Sequence, residues 1–468
     1  MLITQKTTYK MNLKVNHNNS ARLTKHQIRN SMTYAMVSAM AFVIGFSCLQ
    51  GSVLTLVAIK LGAEELFIGI LTFAVSMCLL FSIFTINAVE KYGKKKVLII
   101  GYSTAVFFII PLFALPLVVS NWPLKYVLAL LFVTTLFRCI SNAMGGTGWF
   151  PILQDCVPNR LTGAYFSTLR RSWQTAWLVS LLLLAWFLRG SDPSWWRLEI
   201  VFLIGLVAYI IRVLAIMHIS QQPPQQTIKQ SFGIMQKFII AYKNVEVRFF
   251  ILYLVFYMSA LTMSEPFKIK LLSDFGYGYG FILSATAANC LGAIVSLKFW
   301  GKLADRFGNR SIFTVSHLGM IFTSFLWIAI EPSLFGSILV FLLYFFWSVF
   351  NSGNGIAQTR YMLHAVPTDQ QFLMNIIQLI TGLSMAVGPL LGGLFLAHTE
   401  SLSLSSGAMH LNNYHVWFIL TSLFFIIPHL LRKKLRFRRE ISTLQVLAIV
   451  SRPLRNGFGA FLSFKTKR

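Results

Sequence analysis

The chain has 468 residues, of which 56% are hydrophobic and only 12% charged, with 42 phenylalanines. A soluble protein carries about a quarter charged residues, so a soluble globular fold is excluded and lipid is the expected solvent. The net charge of +27 would suit a polyanion-binding protein, but its distribution along the chain gives it another role.

Residues 1–31 are polar and basic, from Met1 to Ser31, and contain neither an apolar stretch nor a small-residue cleavage site. They are expected to form a cytoplasmic tail rather than a signal peptide. Twelve apolar runs follow, at 33–59, 66–89, 97–119, 124–147, 172–188, 198–218, 249–271, 279–299, 311–330, 334–357, 373–397 and 413–431. Each is long enough to cross a hydrocarbon layer of about 30 Å as a helix. With the N-terminus inside, the outer side keeps only Lys60, Lys125, Arg189, Arg197, Lys268 and Lys270, while Arg138 and Arg212 fall within spans. The remaining Lys and Arg lie inside, the asymmetry that orients membrane proteins. Topology therefore accounts for the basic charge, and no nucleic-acid partner is expected.

Short loops between spans carry the punctuation. The segment Phe299 to Ser311 reads FWGKLADRFGNRS and sets Gly301, Asp305, Arg306, Gly308 and Arg310 between two apolar runs, as a tight hairpin. Ile86 to Lys96, INAVEKYGKKK, repeats it. A shift of 215 residues places Glu90 on Asp305, Lys91 on Arg306 and Gly93 on Gly308. A second pair agrees at a shift of 209, with Asn142, Gly146, Val157 and Pro158 falling on Asn351, Gly355, Val366 and Pro367.

Two six-helix bundles related by duplication follow, over 32–218 and 249–431, a layout common in secondary transporters. The linker 219–248 opens on a Gln- and Pro-rich stretch, and Ile228 to Tyr242 has the pattern of an interfacial helix. The basic tail 432–468 begins with RKKLRFRR, suited to anionic headgroups. The five cysteines show neither metal-ligand spacing nor a disulfide pattern.

Twelve spans, the duplication and both hairpins together resemble the major facilitator superfamily of secondary transporters. WGKLADRFGNR is similar to that superfamily's motif A, G-x-L-x-D-R-x-G-R-[KR]. Its first-half copy departs from the pattern at Ile86, in place of glycine, and at Glu90, in place of aspartate. Arg138 followed by Ser141-Asn142-Ala143-Met144-Gly145-Gly146 is similar to motif B of proton-coupled antiporters, without the expected Gln-Gly after the arginine. Gly388-Pro389 and Gly392-Gly393 resemble the antiporter signature but stand in helix 11 rather than helix 5. The resemblance implies an all-α membrane protein with twelve transmembrane helices in two pseudo-symmetric bundles and a cavity lined mainly by helices 1, 4, 7 and 10.

Arg138 lies well inside a span, where a permanent charge costs several kcal/mol unless it meets water, a partner or a ligand. It reads as an anchor for an anionic or polar solute, as a modulator of a nearby proton site, or as a structural arginine bonded to backbone carbonyls. Glu265, beside Pro266, is either a protonatable carboxylate at a helix bend or an outer-end partner of Lys268. Gln50, Asn142, Tyr257 and Asn351 complete the expected substrate pathway, and each reads equally as an interhelical hydrogen bond. In the hairpins, Asp305 is expected to bond either backbone donors or an arginine such as Arg160 or Arg170, with Gly301 permitting close helix approach.

The expected protein is a carrier of a small solute, monomeric, in a bacterial inner or plasma membrane with both termini cytoplasmic. It would work by alternating access, as a secondary active carrier coupled to a proton or cation or as a facilitative one, without metal or cofactor. No hydrolase, transferase or phosphate-loop pattern is present in the sequence. Two alternatives stay open: a non-transporting sensor on the same fold, and an exporter of amphipathic compounds.

Overall fold

The computed structural model describes residues 24–157, 162–220, 234–366, 370, 372–401, 403–406 and 409–436. The first half contains α1 (Lys25–Leu49), α2 (Gly51–Lys60), α3 (Glu65–Met77), α4 (Ser82–Tyr92), α5 (Lys94–Phe107), α6 (Leu115–Asn121), α7 (Leu124–Gly146), α8 (Trp149–Cys156), α9 (Thr162–Phe187) and α10 (Trp195–Met217). The second contains α11 (Ile234–Lys243), α12 (Val245–Met263), α13 (Glu265–Asp274), α14 (Tyr279–Phe307), α15 (Asn309–Phe325), α16 (Leu334–Ala365), α17 (Phe372–His398), α18 (Asn413–Phe424) and α19 (Ile426–Leu431). Between α17 and α18, β1 (Ser403–Ser406) and β2 (Met409–Asn412) pair antiparallel, with Ser403 opposite Asn412.

Eleven helical stretches among the described residues are long and apolar enough to cross a membrane. The twelfth expected span is α9, whose early turns carry Arg170, Arg171, Ser172 and Gln174 and so lower its apolar character. Large apolar side chains cover the exterior, among them Phe84, Ile100, Leu183 and Leu334, while Arg138 and Lys268 are buried. This inversion of a soluble protein's pattern follows from lipid being the solvent, since polar groups are satisfied only inside the bundle.

The two hairpins are shorter than the sequence pattern implies. Gly301, Asp305 and Arg306 belong to α14, and α15 starts at Asn309, so the turn is Gly308 alone, at φ 79°. In the first half α4 and α5 meet likewise at Gly93, φ 92°. A left-handed backbone angle costs glycine little, and one such residue reverses the chain while both helices keep their hydrogen bonds.

Symmetry extends to the helix breaks. The first span stops at Leu49 and restarts at Gly51, with Gln50 extended at φ −141° and Gly51 at φ 56°. The seventh stops at Met263 and restarts at Glu265, interrupted at Ser264. The 215-residue shift that aligns the hairpins also lays Gln50 on Glu265.

Residues 221–233 and 437–468, within the expected linker and basic tail, lie outside the described residues, as does the expected tail up to residue 23. The described part of the linker forms α11, which packs on α12.

Small residues let the helices cross closely. A Cβ added at Gly101 of α5 would stand 2.4 Å from the Cα of Gly145 on α7. We expect Gly101→Val to lower stability by about 1–3 kcal/mol, the cost of overpacking a tight contact. A reduced melting temperature in detergent micelles checks this, with Gly301→Val as control because an added Cβ there meets nothing within 4 Å.

Candidate functional site

Both breaks interrupt membrane-length helical stretches, ten residues before Lys60 and Asp274 respectively, and buried charge gathers at each. In the first half, Arg138 on α7 is 1% exposed. Its Nη2 donates to the carbonyl of Leu49, the last residue before the break, at 3.1 Å, and its Nη1 donates to the Tyr209 hydroxyl at 3.3 Å. Gln50 donates through Nε2 to the Cys139 sulfur at 2.9 Å. The break is thus held from the α7 side, because its freed carbonyl has no helical partner and a guanidinium replaces one.

One helical turn from Arg138, Asn142 accepts from Arg212 Nη1 at 2.7 Å through Oδ1. The Arg212 guanidinium lies 3.5 Å from the Tyr102 ring centroid and 4.3 Å from that of Phe42. Such faces hold a desolvated cation by up to about 2 kcal/mol. Asn142 is therefore a clamp within the bundle, and Arg212 is a site residue the sequence reading left without a role.

In the second half Glu265 opens α13 and pairs with Lys268 at 2.8 Å. The Lys268 side chain is 1% exposed, whereas that of Glu265 keeps 36%. Lys268 is not at the outer surface as its position suggested. Its Nζ lies 4.3 Å from the Trp347 ring, 5.3 Å from Trp327 and 5.9 Å from Tyr344. Tyr257 donates to Asn351 Oδ1 at 2.7 Å, so these two predicted residues meet each other.

Deeper in this half, Tyr253 donates to Asn354 Oδ1 at 2.9 Å and lies 3.0 Å from His317 Nε2. Tyr253 thereby joins Asn354 and His317 in one buried polar cluster. Here too the 215-residue shift, which lays Tyr102 on His317, was the signal available in the sequence.

Hydrogen bonds and ion pairs between the halves run from the breaks towards the side opposite the basic hairpins. Ser52 meets Thr286 at 3.1 Å between hydroxyls. Tyr279 donates its hydroxyl to the Leu56 carbonyl at 2.8 Å and its amide to that of Gly190 at 2.9 Å. Tyr414 donates to Glu65 Oε1 at 2.5 Å and lies 3.0 Å from Asp274 Oδ2. Lys270 balances the two carboxylates at 3.7 and 2.7 Å. Backbones touch as well: a Cβ at Gly69 of α3 would meet the Pro389 carbonyl of α17 at 2.7 Å.

The gating residues are only partly visible. Glu90 and Asp305 lie on α4 and α14, but their side chains fall outside the description, as does Arg160. Lys91 stands over Tyr92, 5.2 Å from the ring centroid, and Arg306 and Arg310 are exposed. Gly301 makes no close approach to another helix in this conformation.

This architecture is that of a two-bundle carrier, and the family is established by sequence: the chain belongs to the Major Facilitator Superfamily, whose family model matches residues 35–371 and 249–465. It is an integral membrane transporter. No curated protein matches it. Among solved structures it is similar to the nucleoside transporter NupG, at 12% identity, TM-score 0.65, covering 88% of this chain and 100% of that one. It is also similar to a bacterial homolog of the human lysosomal transporter Spinster in an inward-facing, unoccupied conformation, at 12% identity, TM-score 0.66, covering 89% and 100%. The xylose transporter XylE from E. coli, partially occluded and inward-open, matches at 11% identity, TM-score 0.63, covering 89% and 98%. At these identities the likeness is one of fold.

Removing Glu265 leaves Lys268 held only by ring faces. We expect Glu265→Gln to lower stability by roughly 1–3 kcal/mol, less than for a fully enclosed pair because Glu265 is partly exposed. Adding Lys268→Met should recover most of the loss. Thermal melts of the two variants and the double variant test this coupling.

Proposed function

We propose that this chain moves a small solute by alternating access, rocking its two bundles about the paired breaks at Gln50 and Ser264. The observation that carries the proposal is the combination of these breaks with hydrogen bonds between the halves that begin at the breaks and continue outward from them. A site at the meeting of two repeats, reached from one side at a time, is the arrangement such carriers use. With the basic side cytoplasmic, in keeping with the positive-inside rule, the conformation is inward-facing. Residues 1–31 and 432–468 then lie in the cytoplasm, and the protein resides in a bacterial inner or plasma membrane as a monomer.

Coupling to a proton is assigned to Glu265. Neutralising this carboxylate releases Lys268 from its only recorded ion pair at the start of α13. Such a change is coupled to helix movement because an unpaired buried ammonium is costly. Gating at the basic side falls to the hairpins of Glu90, Lys91 and Gly93 and of Gly301, Asp305, Arg306, Gly308 and Arg310, which close when that side closes.

Two measurements test the proposal. Spin labels at Glu64 and Glu400, exposed at the far ends of the two bundles, report the outer seal. Tyr414→Phe removes the hydroxyl joining Glu65 and Asp274 and should add a longer-distance population; an unchanged distribution rejects rocking at this seal. A thermal-shift screen of metabolite classes selects a solute that binds the folded state. Its proton-driven accumulation in proteoliposomes should fall at least tenfold in Glu265→Gln while counterflow persists, and undiminished accumulation removes Glu265 from coupling.

A further inference from the structure

One face of the first bundle carries a groove that opens towards lipid. It runs between α9 and α10 with α1 as its floor, and has a volume of about 920 Å³. Ile44 and Cys48 of α1 lie at its bottom, Ile200 and Ile204 of α10 form one wall, and Val179 and Leu183 of α9 form the other. The four wall residues are exposed whereas Cys48 is buried, so the groove is cut into the outer surface of the bundle. Every residue that lines it belongs to the first half, while α9 also packs on α14 of the second. The groove is therefore separate from the space between the halves.

Its chemistry changes along its length. Towards the basic side the α9 wall presents Thr168, Arg171, Ser172 and Thr175. Arg171 is exposed, its Nη2 donates to Thr168 Oγ1 at a long 3.5 Å, and none of the ion pairs recorded for the described residues includes it. Beyond Thr175 the same wall is apolar apart from the buried Ser180. Arg171 immediately precedes the apolar run that begins at residue 172, which puts its charge at the edge of the hydrocarbon layer. From Arg171 to Leu183 the helix rises by about 18 Å, enough to cover one leaflet, roughly 15 Å of a 30 Å core. A cation at the interface followed by a leaflet-long apolar channel has the order of groups of a phospholipid, phosphate first and acyl chain after. Basic pockets between helices on the cytoplasmic side hold anionic headgroups in this way.

We propose that this groove seats one anionic phospholipid of the basic-side leaflet, its phosphate on the Arg171 guanidinium and an acyl chain along Val179 and Leu183. The planar fork of an arginine bonds phosphate oxygens in pairs, and the net negative charge of the headgroup selects it over a zwitterionic lipid of the same chain length. The seated lipid ties α9 to α1 and α10, and α9 is a helix through which the first bundle packs on the second. The site does not rest on the carrier reading and is testable without transport.

Native mass spectrometry of the delipidated full-length protein in detergent reads the site, with phosphatidylglycerol and phosphatidylcholine of identical acyl chains as probes. Phosphatidylglycerol should be retained as a single adduct at least fivefold more than phosphatidylcholine. Arg171→Gln should remove that preference. Lys298→Gln, which takes one exposed charge from α14 outside the groove, should keep it. Val179→Trp fills the groove from an exposed position and should lower retention of both lipids at least threefold. Inorganic phosphate at the concentration of the lipid should not displace it; displacement would leave a bare anion site and overturn the lipid assignment. Equal retention of the two lipids, a preference that survives Arg171→Gln or is lost equally in Lys298→Gln, or unchanged retention in Val179→Trp overturns the proposal as well.

Discussion

A backbone that leaves its helix inside a bilayer must find partners for the groups it frees, and this chain does so twice. At Gln50 the freed Leu49 carbonyl is held by a buried guanidinium from a neighbouring helix. At Ser264 the restarting helix carries its own carboxylate, matched by a buried ammonium that rests against three aromatic rings. Non-helical backbone at membrane depth is tolerated only inside protein or beside water. Each break therefore commits the surrounding helices to a particular packing, and the positions of α7, α10 and α16 follow from it.

The remaining cohesion is steric. Lipid tails offer no hydrophobic drive for helices to associate, so close backbone approach and polar contacts hold the bundle together. The crossings of α5 with α7 at Gly101 and Gly145, and of α3 with α17 at Gly69 and Gly393, are of this kind. The α3–α17 crossing joins the two bundles, and the carboxylates Glu65 and Asp274 meet there around Tyr414 and Lys270. This interface therefore rests on few hydrogen bonds and on close small-residue contacts.

Duplication explains where the polar groups are and why they differ. Gly93 and Gly308 keep one geometry, since the left-handed turn demands it. Tyr102 and His317 occupy corresponding places but serve a guanidinium in one half and a tyrosine–asparagine pair in the other. Backbone requirements persisted in both copies, while side-chain chemistry diverged once each bundle could satisfy its interior in its own way.

The sequence alone determined the spans, their orientation signal, both hairpins and the two-bundle order, because these depend on local composition and on spacing along one segment. It also marked Arg138, Glu265, Tyr257 and Asn351, since polar groups within apolar runs stand out. It could not say that Asn142 clamps Arg212, that Lys268 turns inward to aromatic rings, or that Gly301 lies against open space. Those outcomes depend on which face of a helix meets which neighbour far away in the chain, and apolar periodicity is weak when lipid and core are equally apolar. The tertiary structure decided that Arg138 supports a break in the first helix, its guanidinium bonded to the Leu49 carbonyl and the Tyr209 hydroxyl rather than left as a lone intramembrane charge.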